Sequence, residues 1–259
     1  MTTTRRTVLK GIGAGTALLV APVGASSAEE DEAGLRVAHA SPDAPAVDVL
    51  VDGTAEVEGL EFRSVTDYLE LEAGEYDLAV NVAGTDTTVF SAEAVDLAAE
   101  DYTAVALGEV ESDDTDFTVG LFEDTNGANL DDEFRLRAIH ASPDAPAVDV
   151  TVDDDDLTLF EDVAFGESSG YTTAPADEYE VEIRPAGGGD PVFEADVSFE
   201  AGSTYTAFAV GYLTPDDEDA DEAFGLVPSE DRSAPPRGDG NGRGDDKGNA
   251  GGNGKGRGR

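Results

Sequence analysis

Hydrophobic and polar residues alternate with a period of two through most of the chain. The runs "VDVLVD" (47–52), "EYDLAVNV" (75–82) and "DYTAVALG" (101–108) show this alternation, which is typical of strands with one buried face. Gly, Pro, Asn and Asp separate such runs, and no stretch of the body sustains a helical period. The pattern predicts an all-β fold built as an antiparallel β-sandwich.

The chain is an internal duplication. "LRVAHASPDAPAVDVLVD" (35–52) matches "LRAIHASPDAPAVDVTVD" (136–153), and "YTAVALG" (102–108) matches "YTAFAVG" (205–211). We therefore predict two tandem sandwich domains, repeat 1 over 34–124 and repeat 2 over 135–229, joined by a linker at 125–134. Tyrosines that open strands, as in "AGEYDLAV", can hydrogen-bond back across a corner, as in immunoglobulin-like domains.

Charge is distributed unevenly along the chain. The formal net charge is -43, and only five arginines and no lysine lie between residues 11 and 231. Such a body repels itself in dilute buffer but is screened in molar salt, where the Debye length falls to about 3 Å. We interpret it as a protein of a halophile rather than a disordered acidic chain, because its apolar residues alternate regularly. The negative sign excludes nucleic-acid binding by the body.

The N-terminal 28 residues predict an export signal. Arg5 and Arg6 precede a short apolar stretch, and small residues end at Ala25 or Ala28, either of which is a plausible cleavage point. The order T-R-R-x-V-L-K resembles the twin-arginine pattern. The alternative is an uncleaved membrane anchor, although the apolar stretch is shorter than the ~20 residues that span a bilayer. Both interpretations place the protein outside the cell or at its surface, and the first leaves no transmembrane segment in the mature chain.

Residues 230–259 predict a disordered tail. They are rich in Gly, Arg and Asn and lack large apolar side chains. From Arg232 onward seven basic residues face three aspartates, so this segment is net positive. We expect it to contact acidic components of the cell envelope.

The repeated motif contains the only two histidines of the chain. Each ends a predicted first strand with its ring towards the apolar face, and the following prolines exclude regular structure. The first interpretation is structural, with the ring donating to a turn carbonyl and the aspartates accepting turn amides. The alternative is a metal or ligand site made by one histidine and the nearby carboxylates, a poor set for zinc or calcium. The residues concerned are His39, Pro42, Asp43, Asp48, His140, Pro143, Asp144 and Asp149.

At this motif the chain resembles the domain of unknown function 4397 family. The resemblance rests on H-A-S-P-D-A-P-A-V-D-V, on the aromatic-rich middle and on the Ala-Gly-x-Tyr strands, and it covers both repeats. It implies an exported or surface protein of β-rich fold, and it supplies no catalytic residues.

Two further patterns suggest chemistry. "GESSG" (166–170) fits the nucleophile-elbow pattern around Ser168, but that elbow needs a strand-turn-helix in an α/β sheet, so we predict no catalytic residue. Oxygen ligands in "DTNGANLDD" suggest a calcium site without EF-hand spacing. The calcium candidates are Asp124, Asn126, Asn129, Asp131 and Asp132.

These observations predict a non-enzymatic exported cell-envelope protein with a binding, adhesion or structural role. Its partners would be envelope components or another surface protein, and no cofactor is expected. One alternative is a calcium-dependent module that binds a glycan or another partner. A second is a hydrolase, which substitution of Ser168 and screening of ester and glycoside substrates would detect.

Overall fold

The computed structural model describes residues 32–110, 115–125, 130–153, 157–215 and 222–231, which form β-strands and no α-helix. The predicted signal (1–28) and all of the tail beyond Asp231 lie outside the described residues. The strands of repeat 1 are β1 (Glu32–His39), β2 (Val47–Val51), β3 (Thr54–Leu60), β4 (Leu69–Glu72), β5 (Gly74–Val82), β6 (Thr88–Leu97), β7 (Asp101–Leu107) and β8 (Thr118–Asp124). Those of repeat 2 are β9 (Glu133–His140), β10 (Val148–Val152), β11 (Leu157–Val163), β12 (Thr172–Pro175), β13 (Glu178–Pro185), β14 (Phe193–Ser198), β15 (Thr204–Val210) and β16 (Gly225–Glu230).

Each repeat is a sandwich of two four-stranded sheets. In repeat 1 the strand orders are β4-β1-β7-β8, which we call the inner sheet, and β3-β2-β5-β6, the outer sheet. Repeat 2 has the inner sheet β12-β9-β15-β16 and the outer sheet β11-β10-β13-β14. The prediction of an all-β fold with one sandwich per repeat is confirmed.

One strand pair in each repeat is parallel, which the sequence prediction of antiparallel pairing did not include. β1 runs parallel to β7, from Gly34 opposite Asp101 to His39 opposite Ala106, and β9 pairs with β15 in the same way. The first and seventh strands of a repeat therefore start at the same edge of the inner sheet. All other named strand pairs of the described residues are antiparallel.

The two repeats pack against each other through their inner sheets. Leu35 and Val37 of β1 face the core of repeat 1, whereas Ala38 and Ala40 belong to a third apolar cluster that includes Phe208 of repeat 2. The molecule therefore has four sheet layers, and the central strands of its inner sheets are buried on both faces. These strands are β1, β7, β9 and β15. Alternation is typical of strands with one buried face, but β1 and β9 are buried on both faces, because the second face of each meets the other repeat.

The predicted tyrosine corners are present. The hydroxyl of Tyr76 donates to the carbonyl of Glu72 at 2.6 Å, and that of Tyr179 donates to the carbonyl of Pro175 at 2.8 Å. Each bond joins the start of a strand to the strand before it. The immunoglobulin-like detail of the prediction is confirmed in this respect.

The folded body extends slightly beyond the predicted boundaries. The linker was predicted to reach residue 134, yet β9 begins at Glu133 and Phe134 is buried in the core of repeat 2. The tail was predicted to begin at 230, yet Glu230 closes β16 and Asp231 is buried. Both corrections involve only one or two residues at a strand end, which are too few to show a period of two.

Candidate functional site

The histidines of the repeated motif are buried and close their own loops. His39 is 1% exposed, and its Nε2 lies 3.1 Å from the carbonyl oxygen of Pro45. The equivalent bond in repeat 2, from His140 to the carbonyl six residues later, is 2.9 Å long. Because a carbonyl can only accept, Nε2 carries the proton in both rings. Pro42 and Pro143 lie in the irregular turns that these bonds span.

The aspartates after those prolines bind a different loop of the same repeat. The carboxylate of Asp43 accepts the amide of Val110 at 2.9 Å, and that of Asp144 accepts the amides of Leu213 and Thr214 at 2.7 and 2.9 Å. The sequence interpretation had placed these amides within the proline turn itself. In the structure they follow β7 and β15, so each aspartate joins the first loop of its repeat to the last.

The last aspartate of the motif, Asp48 in repeat 1 and Asp149 in repeat 2, joins parts of the outer sheet. Asp48 accepts the amides of Gly59 and Gly84 at 2.7 and 2.9 Å, and thereby joins an irregularity of β3 to the β5–β6 hairpin. Asp149 makes the equivalent two bonds in repeat 2, at 2.8 and 3.1 Å. All the named polar side chains of the motif are thus engaged in holding loops and strands together.

Burial of the two histidines makes the stability of the folded protein depend on pH. Desolvation lowers the pKa of His39 and of His140 below the ordinary value, although backbone carbonyls oppose the shift. The unfolded chain therefore binds protons from about pH 6.5 downward while the folded protein does not. Stability is present in full above that pH and is lost as the pH falls towards the lowered values.

We expect the free energy of unfolding to fall between pH 7.5 and 5.5. Each histidine contributes a slope of up to about 1.4 kcal/mol per pH unit below pH 6.5. Urea unfolding at fixed ionic strength across this range measures the slope. The variant with His39→Leu and His140→Leu removes the histidine contribution, so its stability should fall less than that of the wild type over this range. Equal pH dependence in the two proteins would contradict the assignment.

The structure describes three of the five calcium candidates. Asp124 is buried in the contact between the repeats, Asp131 and Asp132 are exposed, and Asn126 and Asn129 lie outside the described residues. Within the described part of the chain, no group of three or more His, Asp or Glu side chains is arranged to hold a metal ion. Asp124 is held by other side chains of the protein, as described below.

Ser168 does not lie on a nucleophile elbow. It forms an isolated bridge with Ile139 in the coil between β11 and β12, and no helix follows it. The next serine, Ser169, accepts the amide of Ala138 at 2.9 Å, as Thr66 of repeat 1 accepts the amide of Val37 at 3.0 Å. This stretch therefore attaches the coil to the first strand of each repeat.

A buried group of charged side chains lies between the repeats and was missed by the sequence reasoning. We call it the Arg–Asp cluster. Its members come in equivalent pairs, one from each repeat: Arg36 and Arg137, Tyr68 and Tyr171, Thr103 and Thr206, and Asp124 and Asp231.

Each arginine of the cluster crosses to the other repeat. Arg36 donates through Nη2 to Asp231 and at 3.0 Å to Thr206, both in repeat 2. Arg137 donates through Nη2 to Asp124 and at 3.2 Å to Thr103, both in repeat 1. The cluster therefore has approximate two-fold symmetry, and it pairs two cations with two carboxylates.

The remaining polar atoms of the cluster are also bonded. Tyr68 donates to Asp124 at 2.5 Å and Tyr171 donates to Asp231 at 2.7 Å. The guanidinium carbon of Arg36 lies 4.9 Å from the ring centre of Tyr68. Burial raises the pKa of both tyrosines, which keeps them protonated as donors, and the neighbouring carboxylates act in the same direction. Burial alone would lower the pKa of Arg36, but Asp231 and the other acidic neighbours raise it overall.

The two repeats lie side by side and point in the same direction. At one end, the side chain of Arg36 in β1 donates to the carbonyl of Glu230, the last residue of β16, at 3.2 Å. At the other end, Tyr212 of repeat 2 donates to Glu109 of repeat 1 at 2.9 Å. We call the first the terminal end, because Glu32 and Asp231 lie there. We call the second the loop end, because it carries both copies of the proline-rich motif.

The chain belongs to the family described as Domain of unknown function (DUF4397). The family model matches twice, over residues 33–151 and 134–243, so that each match begins at the first strand of a repeat. No curated protein matches the chain. Among the described residues, no helix is long and apolar enough to cross a membrane.

A solved structure with a matching chain is the carbohydrate-binding module CBMbc (family CBM26) from Eubacterium rectale Amy13K, in complex with maltoheptaose. It shares 11% sequence identity over 79% of this chain and 98% of its own, with a TM-score of 0.24. At this TM-score the similarity carries no argument about the ligand of the present protein.

Proposed function

We propose that this protein is an exported, non-enzymatic binding or adhesion protein of the cell envelope of a halophile. Family membership and the tandem sandwich fold support a binding module, and the acidic body supports work in concentrated salt. The polar residues of the repeated motif hold the scaffold together, which is expected if the motif builds the module rather than carries out a reaction.

One observation carries the proposal that the protein is displayed. Both described ends of the chain, Glu32 and Asp231, lie at the terminal end, opposite both copies of the motif. A tether through the N-terminal segment or through the basic tail would therefore leave the loop end of both repeats facing away from the envelope. Loops presented on a rigid sandwich are a common arrangement for binding.

Single cysteines can test this orientation, because the natural chain has none. Glu167→Cys places a thiol at the loop end and Glu100→Cys places one at the terminal end, both at exposed positions. With a membrane-impermeant maleimide on intact cells, we expect strong labelling of the first and weaker labelling of the second. Both purified variants should react equally, as a control. Labelling of either variant only after lysis would overturn export, and equal labelling on intact cells would overturn the orientation.

A further inference from the structure

The Arg–Asp cluster does not distinguish one repeat from the other. Arg36 donates to the carbonyl of Glu230 at 3.2 Å, and Arg137 donates to that of the equivalent residue, Glu123, at 2.9 Å. The arginines, tyrosines, threonines and aspartates of the cluster are also the same residue types in both repeats. A face that carries these groups could pair by charge with a second copy of itself. Discrimination between like and unlike repeats therefore depends on residues outside the cluster.

Glu109 and Tyr212 occupy the same position in the two repeats and contact each other. Each follows the glycine after the seventh strand of its repeat, and each forms an isolated bridge, Glu109 with Asp116 and Tyr212 with Ala223. The hydroxyl of Tyr212 donates to Oε1 of Glu109 at 2.9 Å. Equivalent positions of two symmetry-related units meet at the axis that relates them. This bond therefore lies on the approximate two-fold axis of the contact between the repeats.

The pair of side chains on the axis is a glutamate with a tyrosine only when the two repeats are unlike. Two copies of repeat 1 would bring Glu109 against Glu109, and two copies of repeat 2 would bring Tyr212 against Tyr212. Glu109 is 8% exposed, and its other oxygen accepts the hydroxyl of Thr115 at 2.6 Å. Two carboxylates at such a site would repel each other with little screening by water. The axis therefore disfavours the pairing of repeat 1 with a second repeat 1.

Arg63 makes a second contact between the repeats that has no counterpart. The equivalent residue of repeat 2 is Gly166, and the two have φ values of 67° and 76°. Arg63 donates through Nη2 to the carbonyl of Ala223 in repeat 2, which a glycine cannot do. A Cβ at Gly225 would lie 3.3 Å from that Nη2, and the strand register places Thr118 at the equivalent position of repeat 1. A second repeat 1 would therefore crowd the guanidinium of Arg63 where repeat 2 leaves room for it.

We propose that the contact between the repeats is specific for unlike repeats, with Glu109 and Tyr212 as the residues that determine its specificity. The partner that the inner sheet of repeat 1 fits is a repeat 2, either of the same chain or of a second copy of the chain. A second repeat 1 is rejected, although it presents the same residues of the Arg–Asp cluster. The cluster stabilises every pairing of repeats, and the pair on the axis selects among these pairings.

Exchange of the two residues within the full chain tests this specificity. Glu109→Tyr produces the tyrosine pair of two repeats 2, Tyr212→Glu produces the carboxylate pair of two repeats 1, and the double variant has an unlike pair with the positions reversed. In urea unfolding, we expect Tyr212→Glu to raise the equilibrium constant of unfolding about ten-fold or more, and the double variant to be more stable than Tyr212→Glu. If each residue served only its own loop, the two losses would add. A double variant less stable than both single variants would therefore overturn the proposal.

Refolding the two single variants together tests recognition between copies of the chain. If a Glu109→Tyr chain and a Tyr212→Glu chain exchange repeats, they form two contacts, each with one glutamate and one tyrosine on its axis. We expect light scattering to show a mixed dimer that neither variant forms when it is refolded alone. The double variant is the control, because its own repeats match and it should not dimerise. Dimers of a single variant, or a mixture that does not dimerise, would overturn recognition between copies.

Discussion

Replacing Asp124 by asparagine is expected to lower the free energy of unfolding by about 3–5 kcal/mol, because it leaves a buried arginine without its counter-charge. Arg137 is 2% exposed, so water cannot solvate its guanidinium in place of the missing carboxylate. The amide retains the shape of the carboxylate and some of its hydrogen bonds with Thr103 and Tyr68. The loss therefore measures the missing charge rather than a cavity.

Two further variants separate this cause from its alternatives. Asp96→Asn changes an exposed carboxylate and should alter stability by less than about 0.5 kcal/mol. The double variant with Asp124→Leu and Arg137→Met removes both charges and should recover most of the loss, since a buried ion pair can often be replaced by apolar residues at little cost. Urea unfolding of the three variants decides the matter. A double variant no more stable than Asp124→Asn would show that hydrogen bonding, not charge, dominates the cluster.

The Arg–Asp cluster is also expected to hold the repeats together if the protein works in concentrated salt, as proposed. Exposed ion pairs weaken as salt screens them, whereas buried pairs are screened much less. The cluster holds its two arginines and two aspartates at 2% exposure or less. The cluster at the contact between the repeats is therefore buried and has no net charge. The net negative charge of the protein lies on other residues.

The sequence predicted the sandwiches because period-two alternation and duplication are local signals. Runs such as "EYDLAVNV" fix which side chains of β5 face a core, and the matching copy predicts β13 in the same way. The parallel pairing of β1 with β7 could not be predicted from these local signals. Pairing between distant strands depends on how the whole chain crosses between sheets.

The contact between the repeats was not predicted, because alternation does not tell water from a second protein surface. Arg36 occupies a position that reads as solvent-facing, yet it reaches Asp231 in the other repeat. A signal was present in the sequence: of only five arginines in the body, Arg36 and Arg137 stand at equivalent positions beside the motif. Two arginines at equivalent sites of so acidic a chain indicate a specific structural role. In the structure that role is to pair with a buried aspartate of the other repeat.

The repeated motif illustrates the opposite case, in which the residues were identified but one set of partners was not. Asp43 was expected to accept amides of its own turn, and in the structure it accepts the amide of Val110, 67 residues away along the chain. Such a partner is invisible to local pattern analysis. It follows from the parallel pairing, which brings the ends of β1 and β7 to the same edge.

Replacing Gly108 by alanine is expected to destabilise the protein at the loop that Asp43 holds. Gly108 follows β7 with a φ of 80°, a conformation that costs other residues about 1–2 kcal/mol. A Cβ there would overlap the carbonyl group of Asp116, with the carbonyl carbon only 2.9 Å away, and overpacking of this kind adds about 1–3 kcal/mol. The obstacle is backbone, which cannot move aside as a flexible side chain can.

Gly53→Ala is the matched control for this prediction. Gly53 has a similar φ of 76°, but a Cβ there would meet nothing within 4 Å, so only the conformational cost applies. Urea unfolding should therefore show a loss for Gly108→Ala that exceeds the loss for Gly53→Ala by the overpacking cost. The carbonyl of Gly108 also accepts the hydroxyl of Ser41 at 2.7 Å, so movement of this residue would disturb the proline-rich loop as well. Equal losses in the two variants would mean that the backbone at Asp116 moves aside at no cost. The contact between Gly108 and Asp116 would then not hold the loop end of repeat 1 in place.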